Sequence, residues 1–450
     1  MTDDARQPTA LALGRAIETG ELSPVDLAES CLSGIEEAGL ESAGFVRLTP
    51  ERARAEAAAA ADRAAAGLRR SPLDGVPISW KDLFDTAGVL TEGGSPQLAG
   101  RTPALDAEVV RRGREAGLVC IGKTLTVEFA LGGIGTNPHF GTPANAAMTD
   151  VPRVPGGSSA GAAVSVAGGH VPIGIGSDTG GSVRIPATWN RLVGFKTGIG
   201  AVPRDGVLPL SSTLDTVGPL CRSVADAAQM FAILANDSPV DLAGARADGL
   251  RLLAASNLVH DEADAEVAEA MPAVLEALRR SGATVVEAEI PEFTEIHDLL
   301  QRHGGIVTAE GYVTCRHLID GREAQIDPDV LARMAEGRAM SAVDFLTVRD
   351  ASARLTGKLA GRLAGWDALV HPTLPILPPP IAQVTADRDA YARANALALR
   401  NTRLGNVLNL AAVTLPVTDS LPVGFMVARP ADQNRALLHV AAAIEEALAA

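Results

Sequence analysis

The chain has 450 residues, of which 47% are hydrophobic and 21% charged, with a formal net charge of −15. That is enough apolar sequence for one large domain or for two to three smaller ones. The acidic balance speaks against a nucleic-acid partner, because phosphate contacts need a basic patch.

From the N-terminus, MTDDARQPTA is polar and acidic, and no apolar run of membrane-spanning length follows anywhere, so neither an export signal nor a membrane span is predicted. Residues 8–37 read as two helices, the second with Ser23 as N-cap and Pro24 in its first position. The Ala-rich stretch 51–68 is a helix by propensity. GVPISW (75–80) reads as a short strand that delivers Lys81 at its end, DAEVVRRGREAG (106–117) as a helix and GLVCIG (117–122) as a strand. Residues 164–178 suggest a helix end, a turn and a strand, and 191–196 a further strand. From about 222 to 365 helical patterns dominate, with one helix at 223–236 and an i, i+4 stripe of Ala351, Leu355, Leu359 and Leu363 on another. A strand running into a proline-rich loop follows at 367–380, then a late strand at 423–428. The last helix carries Leu437, Val440, Ala441, Ile444 and Leu448 on one face. Strands separated by helices along the whole length predict an α/β fold with a mostly parallel or mixed sheet, in one domain with a helical insertion after about 222. Cys31, Cys120, Cys221 and Cys315 form no CxxC or Cys/His cluster, and read as reduced thiols of a cytoplasmic protein that binds no metal through them.

Three motifs compete for the chemistry. GLVCIGKT (117–124) satisfies the phosphate-loop spacing, but its spacer residues are themselves a strand, which leaves Lys123 without an anion cradle. GSSAG (157–161) matches a nucleophile elbow centred on Ser159, with His371 and His439 as downstream partners. The elbow needs an apolar strand before it, and TDVPRVPGG is a poor one. The third constellation joins Lys81, Ser158 in VPGGSSAGAA and Ser182 in GSDTGGSVRIPA. The nearest histidine to Ser182 is His170, across a predicted strand, so a different base is needed. A lysine serves if it is neutral, which takes a shift from about 10.4 to 7–8, or about 4 kcal/mol of desolvation or like-charge bias. Val76, Ile78 and Trp80 are the expected apolar wall around Lys81. The backbone N–H groups of Thr179, Gly180, Gly181 and Ser182 are placed to converge on one oxygen.

The run GGSSAG, some twenty small and apolar residues, then GSDTGGSVRIPA, closely resembles the amidase signature family. GVPISWKD, GKTLTVEFA (122–130), the stretch 193–220 and PVGFMV (422–427) resemble further family segments. The resemblance implies a single amidase domain with a central mixed sheet covered by helices on both faces. Its parts would be N-terminal helices (1–70), a signature core (71–223), a variable helical region (224–365) and a C-terminal return to the sheet (366–450). It makes Ser182 the nucleophile, Ser158 a bridging serine after a cis Gly157–Ser158 bond, and Lys81 the base, with the amides of Thr179 to Ser182 as oxyanion hole. Ser159 and Asp178 become structural, and Arg184 either orients neighbours or forms a structural ion pair. No cofactor or metal is implied. Two departures stand out: GGSSAG replaces the commoner GGSSGG, and Lys196–Thr197 lacks the usual intervening proline.

The implied substrate is a small aliphatic, aryl or urea-like amide, with Phe129, Gly132, Gly133, Ile134, His139 and Phe140 as lining residues and a slot made by Gly132, Gly133 and Gly135. A homodimer is possible, and neither nucleic acid nor membrane is an expected partner. The alternatives are a glutaminase-type subunit of a tRNA-dependent amidotransferase, an esterase using Ser159, and an inert scaffold.

Overall fold

The computed structural model describes residues 7–418 and 420–449. Eleven strands form one sheet: β1 (Phe45–Leu48), β2 (Pro77–Lys81), β3 (Val119–Thr124), β4 (Ile173–Asp178), β5 (Val193–Lys196), β6 (Thr216–Cys221), β7 (Arg251–Ala255), β8 (Thr284–Ala288), β9 (Ala368–Pro372), β10 (Leu410–Pro416) and β11 (Gly424–Pro430). Their order is β1-β3-β2-β4-β6-β5-β10-β11-β9-β7-β8. The sheet is mixed: β2 runs parallel to both neighbours, β6 and β10 are antiparallel to theirs, and β9, β7 and β8 close one end in parallel.

Strand alternation sorts the side chains into two cores. Ile78, Trp80, Ile175 and Phe195 pack with Val110 of the helix Glu108–Glu115 and with the helix Val224–Ala235. Val119 and Ile121 face the other way, toward the helices Pro24–Ala38 and Ala160–Ala167. This is the α/β architecture that the sequence predicts, with both faces covered as the family resemblance implies. Local signals read as expected: Ser23 Oγ accepts from the N–H groups of Val25 (3.2 Å) and Asp26 (3.4 Å), capping its helix. The last helix, Asn434–Ala449, buries Leu437, Val440, Ala441 and Ile444.

The region 224–365 departs from the prediction. It is not only helical, because β7, the helix Ala265–Arg280 and β8 form a β-α-β unit that extends the sheet. Five-residue strands such as RLLAA and TVVEA are too short to separate from helix by apolar periodicity. β1, β6 and β10 also escape the reading; β6 contains Gly218 and Pro219, residues that argue against a central strand. All four cysteines are free, three of them buried. Among the described residues no helix is long and apolar enough to cross a membrane.

Candidate active site

β2 and β4 run parallel and end side by side, with Trp80 opposite Ile175, so Lys81 comes out at the carboxyl edge next to Ser177. Lys81 Nζ lies 2.7 Å from Ser158 Oγ and 2.9 Å from Ser177 Oγ, and all three residues are buried. Ser158 follows a cis Gly157–Ser158 peptide bond and stands just ahead of the helix Ala160–Ala167. Burial pushes the Lys81 amine down to about 7, against the opposing pull of the Asp215 and Asp178 charges. The expected apolar wall is not the one present. Ile78 and Trp80 point into the core on the opposite face, whereas Ser79, on the face of Lys81, meets Ser165 at 3.1 Å. The period-two alternation of a strand requires this.

The loop after β4 is organised by Asp178. Its Oδ1 accepts from Gly181 N (2.9 Å), Arg184 Nη2 (2.9 Å) and Asn406 Nδ2 (2.9 Å), and its Oδ2 from Arg184 Nε (3.0 Å) and Val183 N (3.2 Å). Burial alone would raise this carboxyl, but the Arg184 guanidinium outweighs it and holds the group well below the usual range. Gly181 has φ 138°, and a Cβ there would stand 2.2 Å from Thr402 Oγ1, so only glycine fits. Thr402 Oγ1 donates to the Gly180 carbonyl at 2.7 Å, and Thr179 Oγ1 to Asp215 Oδ1 at 2.6 Å. The Gly181 N–H, counted in the sequence expectation, is therefore spent on Asp178. The N–H groups of Thr179, Gly180 and Ser182 have no partner among the described residues.

Ser182 is 5% exposed, and its hydroxyl makes no hydrogen bond among the described residues. Its backbone carbonyl accepts from Ser159 N at 3.3 Å, which holds the two serine segments together. Ser159 itself aims its hydroxyl at the Ser177 carbonyl (3.3 Å), and among the described residues no strand leads directly into it. Neither histidine of the elbow reading reaches it: His371 contacts the Pro372 carbonyl, and His439 lies near the Asp241 carbonyl. The structure thus gives the elbow neither its strand nor its base. Lys123 is buried in β3 against the Phe84 carbonyl, Thr91 and Asp82, which leaves no phosphate cradle.

The predicted lining residues divide. Phe129 sits in a left-handed conformation (φ 51°) and packs in a cluster with Leu131 and Leu210. Ile134 is fully buried with Trp189 and Ile185, and so is core. His139 approaches Glu128 at 3.5 Å, and the Phe140 N–H donates to Asn137. The glycine slot is filled: a Cβ at Gly132, Gly133 or Gly135 would meet Val127, Leu399 or the Gly156 carbonyl at 2.9, 2.9 and 2.5 Å. These glycines serve close packing instead of leaving space. A cavity of about 500 Å³ lies beside the centre, lined by Ser177, the hydroxyl partner of Lys81, and by Ala130, Leu83 and Asp215. Sequence reasoning missed Ser177, although it stands at the end of a predicted strand, and missed Asn395, Thr402 and Asn406 on the helix Arg388–Val407, for which no local signal exists.

A lysine amine pushed down to about 7 and 2.7 Å from a serine hydroxyl, beside a Gly-Gly-Ser loop with free amides, has the make-up of a serine hydrolase with a lysine in reach as base. The Amidase family profile matches residues 26–438, and the chain belongs to that family; it is an amide-hydrolysing enzyme. It is 38% identical over 401 residues to the 2-amino-5-chloromuconic acid deaminase of Comamonas testosteroni, covering 88% of this chain and 86% of that one. With a glutamyl-tRNA(Gln) amidotransferase subunit of Chloroflexus aggregans it shares 33% identity over 461 residues, 94% and 93% of the two chains. A solved amidase structure superposes with TM-score 0.87 at 31% identity, covering 98% of this chain and 99% of that one.

Proposed function

We propose that the chain hydrolyses small carboxamides through an acyl-enzyme on Ser182. Neutral Lys81 takes the proton of Ser158, which takes that of Ser182 as Ser182 Oγ attacks the amide carbonyl. The negative oxygen accepts from the N–H groups of Thr179, Gly180 and Ser182. The relay then runs backwards, protonating the leaving nitrogen as the C–N bond breaks, and ammonia or an amine departs. Water, deprotonated through the same relay, cleaves the acyl ester and frees the carboxylate. The observation that carries this reading is the buried amine of Lys81, 2.7 Å from Ser158 Oγ and pushed down to about 7. The Ser182 hydroxyl is left to find its partner when substrate docks, as catalytic hydrogen bonds commonly do.

The test is peptide mass mapping after treatment with a small fluorophosphonate. An adduct on Ser182 supports the proposal; one on Ser159 would overturn it. Release of ammonia from simple amides by the purified chain alone then separates a free-standing amidase from one part of a larger amidotransferase. Turnover that appears only with a partner chain favours the second reading, to which the likeness to the Chloroflexus aggregans protein lends support.

A further inference from the structure

A second cavity, of about 620 Å³, adjoins the loop 129–133. Three wall residues make the connection. Asn395 Oδ1 accepts from Gly133 N at 2.7 Å, Tyr391 stands against Gly132, and Val307 packs on the cluster of Phe129, Ala130 and Leu131. The same helix, Arg388–Val407, also touches the oxyanion loop, because Thr402 donates to the Gly180 carbonyl. Arg403 is the very next residue, and its side chain lines the cavity together with Arg333 of the helix Pro328–Ala339.

Both arginines are half-buried, and neither makes an ion pair or hydrogen bond among the described residues. The other charged groups on the wall are accounted for. Arg388 lies 3.5 Å from Asp329, and Glu336 and Asp389 are exposed at the rim. Burial, with the Arg333 charge adding to it and Glu336 opposing, pushes Arg403 down to about 10, so it remains a cation at neutral pH. The cavity wall carries Asp329, Glu336 and Asp389, yet none of them pairs with either guanidinium, so the repulsion between the two arginines is relieved by a carboxylate placed between them. Neutral donors stand beside them. The Tyr391 hydroxyl is buried near Thr136 without completing a hydrogen bond, and Asn395, 7% exposed, uses its oxygen on Gly133 while its Nδ2 donates to nothing among the described residues.

We propose that this cavity receives the carboxylate of an amide substrate, so that the preferred substrates are acidic amides and Arg333 and Arg403 set that preference. The inference rests on Ser182 being the nucleophile and adds the substrate class. Its test compares glutaramate with valeramide, which has the same chain length and a methyl group in place of the acid. The expected result is a preference for glutaramate in kcat/KM of about tenfold or more, the range of hydrogen bonds to charged groups. Arg403→Gln and Arg333→Gln should each cut that preference about 10- to 100-fold, mainly through KM, with Arg403→Lys retaining part of it.

A second arm needs no turnover: calorimetric binding of glutaramate to the Ser182→Ala variant, expected to weaken at least tenfold when Arg403→Gln is added. Absence of the preference, or its survival in both glutamine variants, overturns the proposal. So does glutarate binding that fails to compete with valeramide hydrolysis, which would mark an anion site apart from the substrate. If no amide is cleaved but glutaramate binding depends on Arg403, the carboxylate site stands and the nucleophile assignment falls.

Discussion

Two buried lysines invite comparison. Lys81 and Lys196 are both fully buried, and both amines are pushed down to about 7 by burial. The Arg184 charge adds to the effect at Lys196, while Asp178 opposes it at both. They differ in what they touch. Lys196 Nζ donates to the carbonyls of Leu410 (2.8 Å) and Thr197 (3.0 Å), groups with no proton to give. Lys81 Nζ meets two hydroxyls, each able to accept a hydrogen bond or release a proton. A depressed pKa is therefore only half of a base. The other half is a partner that can pass a proton on, and of these two lysines Lys81 is the one that has it.

The sharpest way to break this comparison is to remove the amine from each site. Lys81→Met and Ser182→Ala are each expected to lower kcat by about 10⁴-fold or more on any amide the enzyme cleaves, the scale of losing one member of a nucleophile–base set. Single-turnover kinetics would show it, and a Lys81→Met enzyme within tenfold of wild type would remove lysine from the relay. Gly181→Ala comes next. The added Cβ displaces Thr402, frees the Gly180 carbonyl and tilts the neighbouring amides, so a loss of about 10²–10³-fold, in kcat more than KM, is expected. The pH profile is the milder probe. With Lys81 as the proposed base its protonated form would be inactive, so kcat/KM should rise with pH through an apparent pKa near 7 and fall about tenfold per unit below it. Lys196→Met should leave that limb in place.

How far the site was legible depends on distance along the chain. Lys81, Ser158 and the Ser182 loop carry local patterns, and it is their resemblance to the amidase signature segments that implies the meeting of Lys81 with Ser158. The surroundings do not. Asp178 is braced by Asn406 and Gly180 by Thr402, partners more than two hundred residues away on a helix whose polar residues look like any others. The wall around Lys81 was misread although strand parity alone puts Trp80 on the other face. Gly132, Gly133 and Gly135 were misread for a different reason. A glycine marks either room or contact, and only the positions of Leu399 and Gly156 decide which. In the fold, β7 and β8 went unseen because a five-residue stretch with two to four apolar residues fits a strand or a helix turn equally well.

The smallest expected effect is also the most discriminating. Between about pH 7 and 10.5 the folded chain holds Lys81 and Lys196 neutral while the unfolded chain would protonate both. The unfolded state binds more protons there, so each lysine makes stability rise with pH by about 1.4 kcal/mol per unit. Below pH 7 both burials weigh fully against folding. Replacing either lysine by Met removes its share of the slope, and Lys196→Met also leaves two buried carbonyls short of a donor, a loss of about 1–3 kcal/mol offset by the desolvation no longer incurred. Chemical denaturation at pH 7 and pH 9.5 should therefore give the two variants the same flattening. Activity should not follow: Lys196→Met is expected within a few-fold of wild type, because its amine never faced a proton carrier. Equal stability slopes with unequal catalysis would establish that hydroxyl partners, rather than burial, make one of two similar lysines a base.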